Sequence, residues 1–240
     1  MSQTYPPDLP SMADFNRELA PFQNATTRRS LLQLVGTLIP YFALWGLMIY
    51  SLRFSYALTL ALAVLASGFL VRIFIFFHDC GHNSFFPSTR WNKNVGFWLG
   101  VLVFTPGEHW WHSHAIHHKT SGNLDKRGVG DVSMLTLAEY QQSSWLKKLG
   151  YRLFRHPLVM FGLGPFYMFI LSHRVPFPIH GKKETRSVWL ANLVILAVAV
   201  GMSLLFGWRE YIMIQLPVIL IGAMAGIWMF YVQHQFQGGY

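Results

Sequence analysis

The chain has 240 residues, of which 52% are hydrophobic and only 12% charged, roughly half the charged share of an ordinary soluble domain. That balance excludes an ordinary water-soluble domain and points to a protein embedded in lipid. The formal charge of +9 fits attraction to anionic headgroups and gives no reason to invoke nucleic acid.

Residues 1–28 are polar, contain a Pro-Pro pair and read as a tail with one short surface helix around Met12 to Leu19. Leu31 to Leu52 holds no charged side chain, and Phe54 to Phe77 is interrupted only by Arg72. Each is long enough to cross a hydrocarbon core, which takes about 20 helical residues. Arg53 alone separates them, so they predict a helical hairpin. Arg72 lies near the end of its span and can snorkel to the surface. Arg28-Arg29 before an apolar run outlines a twin-arginine export signal. The run, however, contains Trp45 and Tyr50, lacks a small-residue cleavage site and is followed at once by a second span, so it reads as a transmembrane helix.

The middle segment, 78–186, forms a cap. Within it Val95 to Thr105 and Pro157 to Leu171 are apolar but shorter than a span. Both are expected to lie in the interface or dip into the bilayer, the second bent by Pro165 and its glycines. Ser121 to Asp131 (SGNLDKRGVGD) reads as a loop. It holds neither GxGxxG nor GxxxxGK, which excludes a phosphate cradle. Ser187 to Trp208 and Tyr211 to Val232 predict a second hairpin, parted by Arg209 and Glu210.

The predicted fold is therefore all-α and polytopic, a single membrane domain with four transmembrane helices in two hairpins (31–52 with 54–77, 187–208 with 211–232) and a helical cap. Sixteen of the nineteen Lys and Arg residues lie in the tail and the cap. By the positive-inside rule the N-terminus and cap are cytoplasmic, as in a bacterial inner-membrane protein.

Two histidine groups carry the chemistry. His78 and His82 in HDCGH are four apart, and His114, His117 and His118 in HAIHH are three and four apart, so each group shares a helical face. Neutral imidazole is a common ligand for iron, zinc and copper, and the pattern reads as a metal site at a membrane surface. His109 and His112 fall across the helix from the trio. Cys80, the sole cysteine, is off the ligand face and reads as a packing residue. Trp91, Trp98, Trp110, Trp111 and Tyr140 suit the membrane interface, or the wall of an internal tunnel. His156, His173 and His180 lack partner spacing and read as interfacial or loop residues.

HDCGHNSFF and WHSHAIHHKTSGNLDKRGVGDV resemble the first and second histidine boxes of the membrane-bound fatty acid desaturases, closest to the bacterial acyl-lipid branch. HPLVMFGLGPFYMF and YVQHQF look like later segments of that family, so the resemblance covers most of the chain. It implies that His78, His82, His114, His117 and His118 hold two non-haem irons (Fe), with His234 a further ligand and Asp79, Asp125 and Asp131 orienting imidazoles. Asp79 has the alternative of a helix-end surface residue, and Asp125 and Asp131 of structuring the loop. Gln237 and Gly238 stand where many relatives carry an acidic pair. The family's third box does not occur before Tyr240, so the resemblance implies a fragment whose 240 residues alone do not turn over.

The implied reaction is O2-dependent removal of two hydrogens from adjacent methylenes of a membrane-lipid acyl chain. Such C–H bonds offer no acidic proton to a general base, so the reaction requires iron chemistry and an electron donor, for which ferredoxin or cytochrome b5 is suited to the basic cap. A related hydroxylase or ketolase is the nearest alternative. A metal transporter or sensor fits less well, because polar groups near the bilayer midplane are few beyond Gln33, Asn192 and Gln215.

Overall fold

The computed structural model describes residues 11–20, 24–121, 123–128, 132, 134–177 and 181–233, apart from the side chains of Met12 and Gln233. Among the described residues there is no strand, and four helices are long and apolar enough to cross a membrane. The fold is that of an all-α polytopic membrane protein.

A short surface helix, α1 (Met12–Leu19), begins at Ser11, whose hydroxyl accepts the Asp14 N–H. The first hairpin is α2 (Thr27–Ser51) and α3 (Tyr56–Gly81). In α2 the buried residues are Ser30, Leu34, Thr37, Tyr41, Trp45, Met48 and Ser51. Steps of three and four place them on one stripe, which packs on α3.

The central helix is α3, in contact with α2, α4 (Thr89–Leu102), α5 (Gly107–Thr120) and α10 (Trp208–Gln233). Small residues on its buried face, Thr59, Ala63, Ala66 and Ser67, permit the close approach on which helix packing in lipid depends. Ser67 Oγ lies 3.0 Å from the Val218 carbonyl of α10. Pro217, inside α10, has no N–H to offer the Met213 carbonyl one turn back. The Tyr56 hydroxyl reaches over from α3 and donates to that oxygen at 3.3 Å.

Beyond the expected end of its span α3 runs on without a break through His78, because the HDCG segment continues the helix before His82 caps it. The chain then turns through Asn83 (φ 56°). Asn92, fully buried, ties the turn to α4 by accepting the Phe86 N–H and donating to the Phe86 carbonyl, both at 2.8 Å. The second hairpin is α9 (Lys182–Phe206) and α10, joined at Gly207, whose φ of 99° a side chain would resist.

In the cap, α6 (Leu137–Gln142) opens with a capping box between Thr136 and Glu139. The amphipathic α7 (Trp145–Phe154) follows, then α8 (Val159–Arg174), a largely π-type helix bent 60° from α7. The bend falls at the break containing Pro157, not at Pro165. Pro165 opens the one α-helical turn of α8, Gly164–Phe166, where a missing N–H costs little.

Candidate metal centre and apolar cavity

The long α3 carries His78 and His82 to the end of the bundle, where α5 lies across it with His114 and His118. Positions four apart on each helix face the other pair, so four imidazoles meet. One ring nitrogen from each of His78, His82, His114 and His118 can be chosen so that all four lie within 4.8 Å of one another. The Nε2 atoms of His78 and His82 are 3.2 Å apart, and those of His114 and His118 3.0 Å. Two imidazole nitrogens bound to one ion at bonds of about 2.1 Å stand about 3 Å apart. The separations therefore fit ligation of a transition metal, and the all-imidazole donor set suits iron, copper or zinc.

Burial lowers the pKa of His114 to about 3, with His78, His118, His82 and His117 adding repulsion. Burial, then His78 and His118, lowers that of His82. Both rings are thereby kept neutral, the form that binds metal.

Asp79 Oδ1 sits 2.9 Å from His78 Nδ1. That contact engages one ring nitrogen and turns the other into the cluster. Trp110 stacks on His114, with ring centroids 4.4 Å apart and planes 19° apart. Trp111 donates its indole N–H to the Phe77 carbonyl at 3.1 Å and stacks on the Phe77 ring. Its indole fills a slot walled by three glycines, Gly81, Gly96 and Gly107. Trp110 and Trp111 thus serve the interior, unlike Trp91 and Trp98, which are exposed on α4.

The histidine trio divides. His117 is 2% exposed and packs on Phe230 of α10 at 5.2 Å between ring centroids. Its own ring lies 6.0 Å from His114 and 5.9 Å from His118, beside the cluster. His112 is on the outer side, 3.9 Å from Glu184 of α9. Asp125 is exposed, and its backbone N–H donates to Asn123 Oδ1, so it is the Asn123 side chain that caps the short turn there. Asp131, His180 and His234 lie outside the described residues.

An apolar cavity of about 590 Å³ opens beside the cluster, between α3, α5, α8 and α10. Its wall includes Leu70 and Phe74, Trp110, His114 and His117, Phe169, and the small residues Gly222, Ala223 and Gly226 of α10. His109 and His173 line it too, and both are buried. His109 stacks on Phe177, and His173 Nδ1 lies 3.4 Å from Thr105 Oγ1. Spacing set His109 across the helix from the trio, yet it shares this wall with His114 and His117 because the cavity spans the arc between them, and His173 had no partner spacing at all. The signal that could have found them is their flanking apolar and aromatic sequence, which marks an interior wall.

The sequence from 53 to 240 matches the family model described as "Fatty acid desaturase". The chain is 50% identical over 224 residues to a fatty acid desaturase of Bacillus subtilis, covering 93% of this chain and 64% of that protein. It is 32% identical over 149 residues to the sn-1 acyl-lipid omega-3 desaturase (ferredoxin) of Synechocystis, covering 57% of this chain and 39% of the relative. It is also 29% identical over 147 residues to the endoplasmic reticulum omega-3 fatty acid desaturase of Vigna radiata, covering 56% and 37%. The chain thus spans less than two thirds of the length of these relatives. No solved structure matches it. With the four-histidine cluster and the cavity both inside the matched region, and half of the aligned residues shared with the Bacillus protein, the chain belongs to the fatty acid desaturase family.

Proposed function

We propose that the chain is the histidine-bearing membrane part of an O2-dependent non-haem diiron desaturase that introduces a double bond into an acyl chain of a membrane lipid. The observation that supports this most directly is the double position of His114, a member of the imidazole cluster and also part of the cavity wall. A hydrocarbon chain in that cavity would run past the cluster. The volume is within the range of roughly 300–1,000 Å³ typical of enclosed ligand sites.

In this reading His78, His82, His114 and His118 hold the iron pair, joined by His117 and His234. When bound, the irons supply the O2-derived oxidising power that unactivated methylenes require. The protein does the rest. Asp79 fixes the His78 ring, and Trp110 fixes the plane of His114 while walling the cavity. Leu70, Phe74, Phe169 and Phe230 exclude water and hold one pair of carbons opposite the metals. The cluster end faces the cytoplasm of a bacterial cell, where a ferredoxin or a cytochrome b5-like carrier docks on the basic cap; the Synechocystis relative bears ferredoxin in its name.

The test is gas chromatography with mass spectrometry of membrane lipids from cells expressing the gene with its complete reading frame. A new double bond is expected. A new hydroxyl would make the protein a hydroxylase, and unchanged lipid with bound metal would favour metal carriage.

A further inference from the structure

Lying along the cap, α7 has an apolar arc and a cationic flank. At about 100° per residue, Trp145, Leu149, Leu153 and Leu146 occupy one arc of about 100°. Trp145 and Leu146 are both 70% exposed, and Leu153 is 53% exposed. Lys148 and Arg152 border that arc. On the same side a cleft of about 540 Å³ lies between α6 and α7, lined by Leu135, Leu137, Tyr140, Tyr151, Arg152 and Arg155. Lys148 Nζ and the Arg152 guanidinium both approach the Tyr140 ring, at 5.9 and 5.7 Å from its centre. Arg152 Nε donates to the Tyr140 hydroxyl at 2.5 Å.

We propose that the α6–α7 cleft binds the phosphate of an anionic membrane phospholipid, with the apolar arc of α7 lying among the acyl chains of the same leaflet. Three observations favour this occupant. Among the described residues no carboxylate lies within ion-pair distance of Arg152 or of Lys148, whose ammonium donates to the Gln141 carbonyl at 2.8 Å, so neither charge is neutralised there. Glu139, the acid on α6, is engaged by Arg127 and by the Thr136 N–H and does not neutralise the cleft. The helix leads, through the 60° bend, directly into the apolar α8, which places α7 at the height of the headgroups. A helix with exposed Trp and Leu on one side and cations at its border is suited to that interface. Planar guanidinium groups recognise phosphate oxygens in pairs. The inference depends on the chain being a membrane protein and not on the reaction it performs.

The test uses the full chain in detergent and native mass spectrometry, titrating phosphatidylglycerol and phosphatidylcholine of identical acyl chains. The wild type should retain phosphatidylglycerol at a concentration about tenfold lower than phosphatidylcholine. The double variant Lys148→Gln/Arg152→Gln should lose that preference, since each cation near an anionic lipid contributes several-fold. Lys93→Gln, an exposed charge on α4, should retain it, and Arg152→Lys, which keeps the charge without the paired N–H groups, should keep part of it where Arg152→Gln does not, at equal thermal stability. Equal binding of the two lipids by the wild type would overturn the proposal. So would an unchanged preference in the double variant, or displacement by inorganic phosphate without any preference between lipids.

Discussion

A β-carbon added to Gly81 would lie 2.3 Å from Cδ1 of Trp111, so the last residue of α3 and the indole of α5 share one space. The indole cannot swing away freely. It is hydrogen-bonded to the Phe77 carbonyl, and Gly96 on α4 closes the slot, where an added Cβ would sit 2.7 Å from Trp111 Cζ2. Because His78 is on α3 and His82 caps it, while His114 and His118 are on α5, this slot sets the register of the two pairs.

Gly81→Ala and Gly96→Ala are therefore expected to push α5 off α3. Overpacking of this kind typically costs about 1–3 kcal/mol, which outweighs the helix-propensity gain of about 1 kcal/mol from replacing glycine. Thermal unfolding in detergent should show a lower midpoint, and bound iron should fall. Gly150→Ala, at a position with open space around it, should do neither.

Metal retention should separate the histidines by position. His118→Ala and His82→Ala each remove one imidazole of the cluster and should sharply lower iron per protein, measured by plasma mass spectrometry. Asp79→Asn keeps every ligand but weakens the hold on His78 and should cost on the order of 10–100-fold in iron affinity in a chelator competition. His112→Ala, on the outer side of α5, should leave iron unchanged.

Cavity length can be altered without disturbing the metal. Among the described residues no other element comes within 4 Å of a β-carbon built at Gly226, so Gly226→Leu enters open space and favours the helix by about 0.8 kcal/mol. Iron content and stability should hold while turnover of long acyl chains falls by up to roughly a hundredfold, on the order of the loss from misplacing a reacting chain. Lipid analysis after expression of the complete reading frame reads this directly.

Acid should act on the cap at a specific place. The Thr136 N–H, then Arg127, holds the Glu139 carboxyl down at about 2. Since its folded value is depressed, the capping contribution is fully present above the usual carboxylate range and is lost as pH falls toward about 2. Hydrogen exchange across Leu137–Gln142 should therefore show wild type better protected than Glu139→Gln at pH 6 and still at pH 4, with the difference closing toward pH 2. A gap that closed by pH 4 would mean Arg127 and Thr136 do not hold the carboxylate.

Orientation is open to labelling. With Cys80→Ala as background, cysteines at Arg53 and Arg209, the two hairpin tips, should react with a membrane-impermeant thiol reagent in intact cells, and Ser121→Cys should not. The reverse pattern would turn the molecule over.

The hairpins were legible because uncharged runs of span length have few other uses, and the His78–His82 pair because spacing of four has one geometric meaning on a helix. The division of the second group was not legible. His114, His117 and His118 cover an arc of about 100°, and two different helices approach it: α3 meets His114 and His118, while α10 meets His117. Sequence spacing reports the face of one helix and nothing of how many neighbours share it. The same reason hid Trp111, whose role depends on glycines that α3, α4 and α5 bring together, and His173, whose wall exists only once α8 folds against α10.

The Tyr56 hydroxyl on the Met213 carbonyl bears on how the two hairpins come together. Pro217 leaves the Met213 carbonyl of α10 without the N–H that would normally bond it one turn on, and the other hairpin supplies a donor. Between helices in lipid there is little hydrophobic gain from association, so this contact and the Ser67–Val218 contact give docking a polar incentive with a fixed register. The second hairpin thus presents an acceptor that Tyr56 of the first hairpin is placed to serve, so one proline helps decide which face of α10 meets α3.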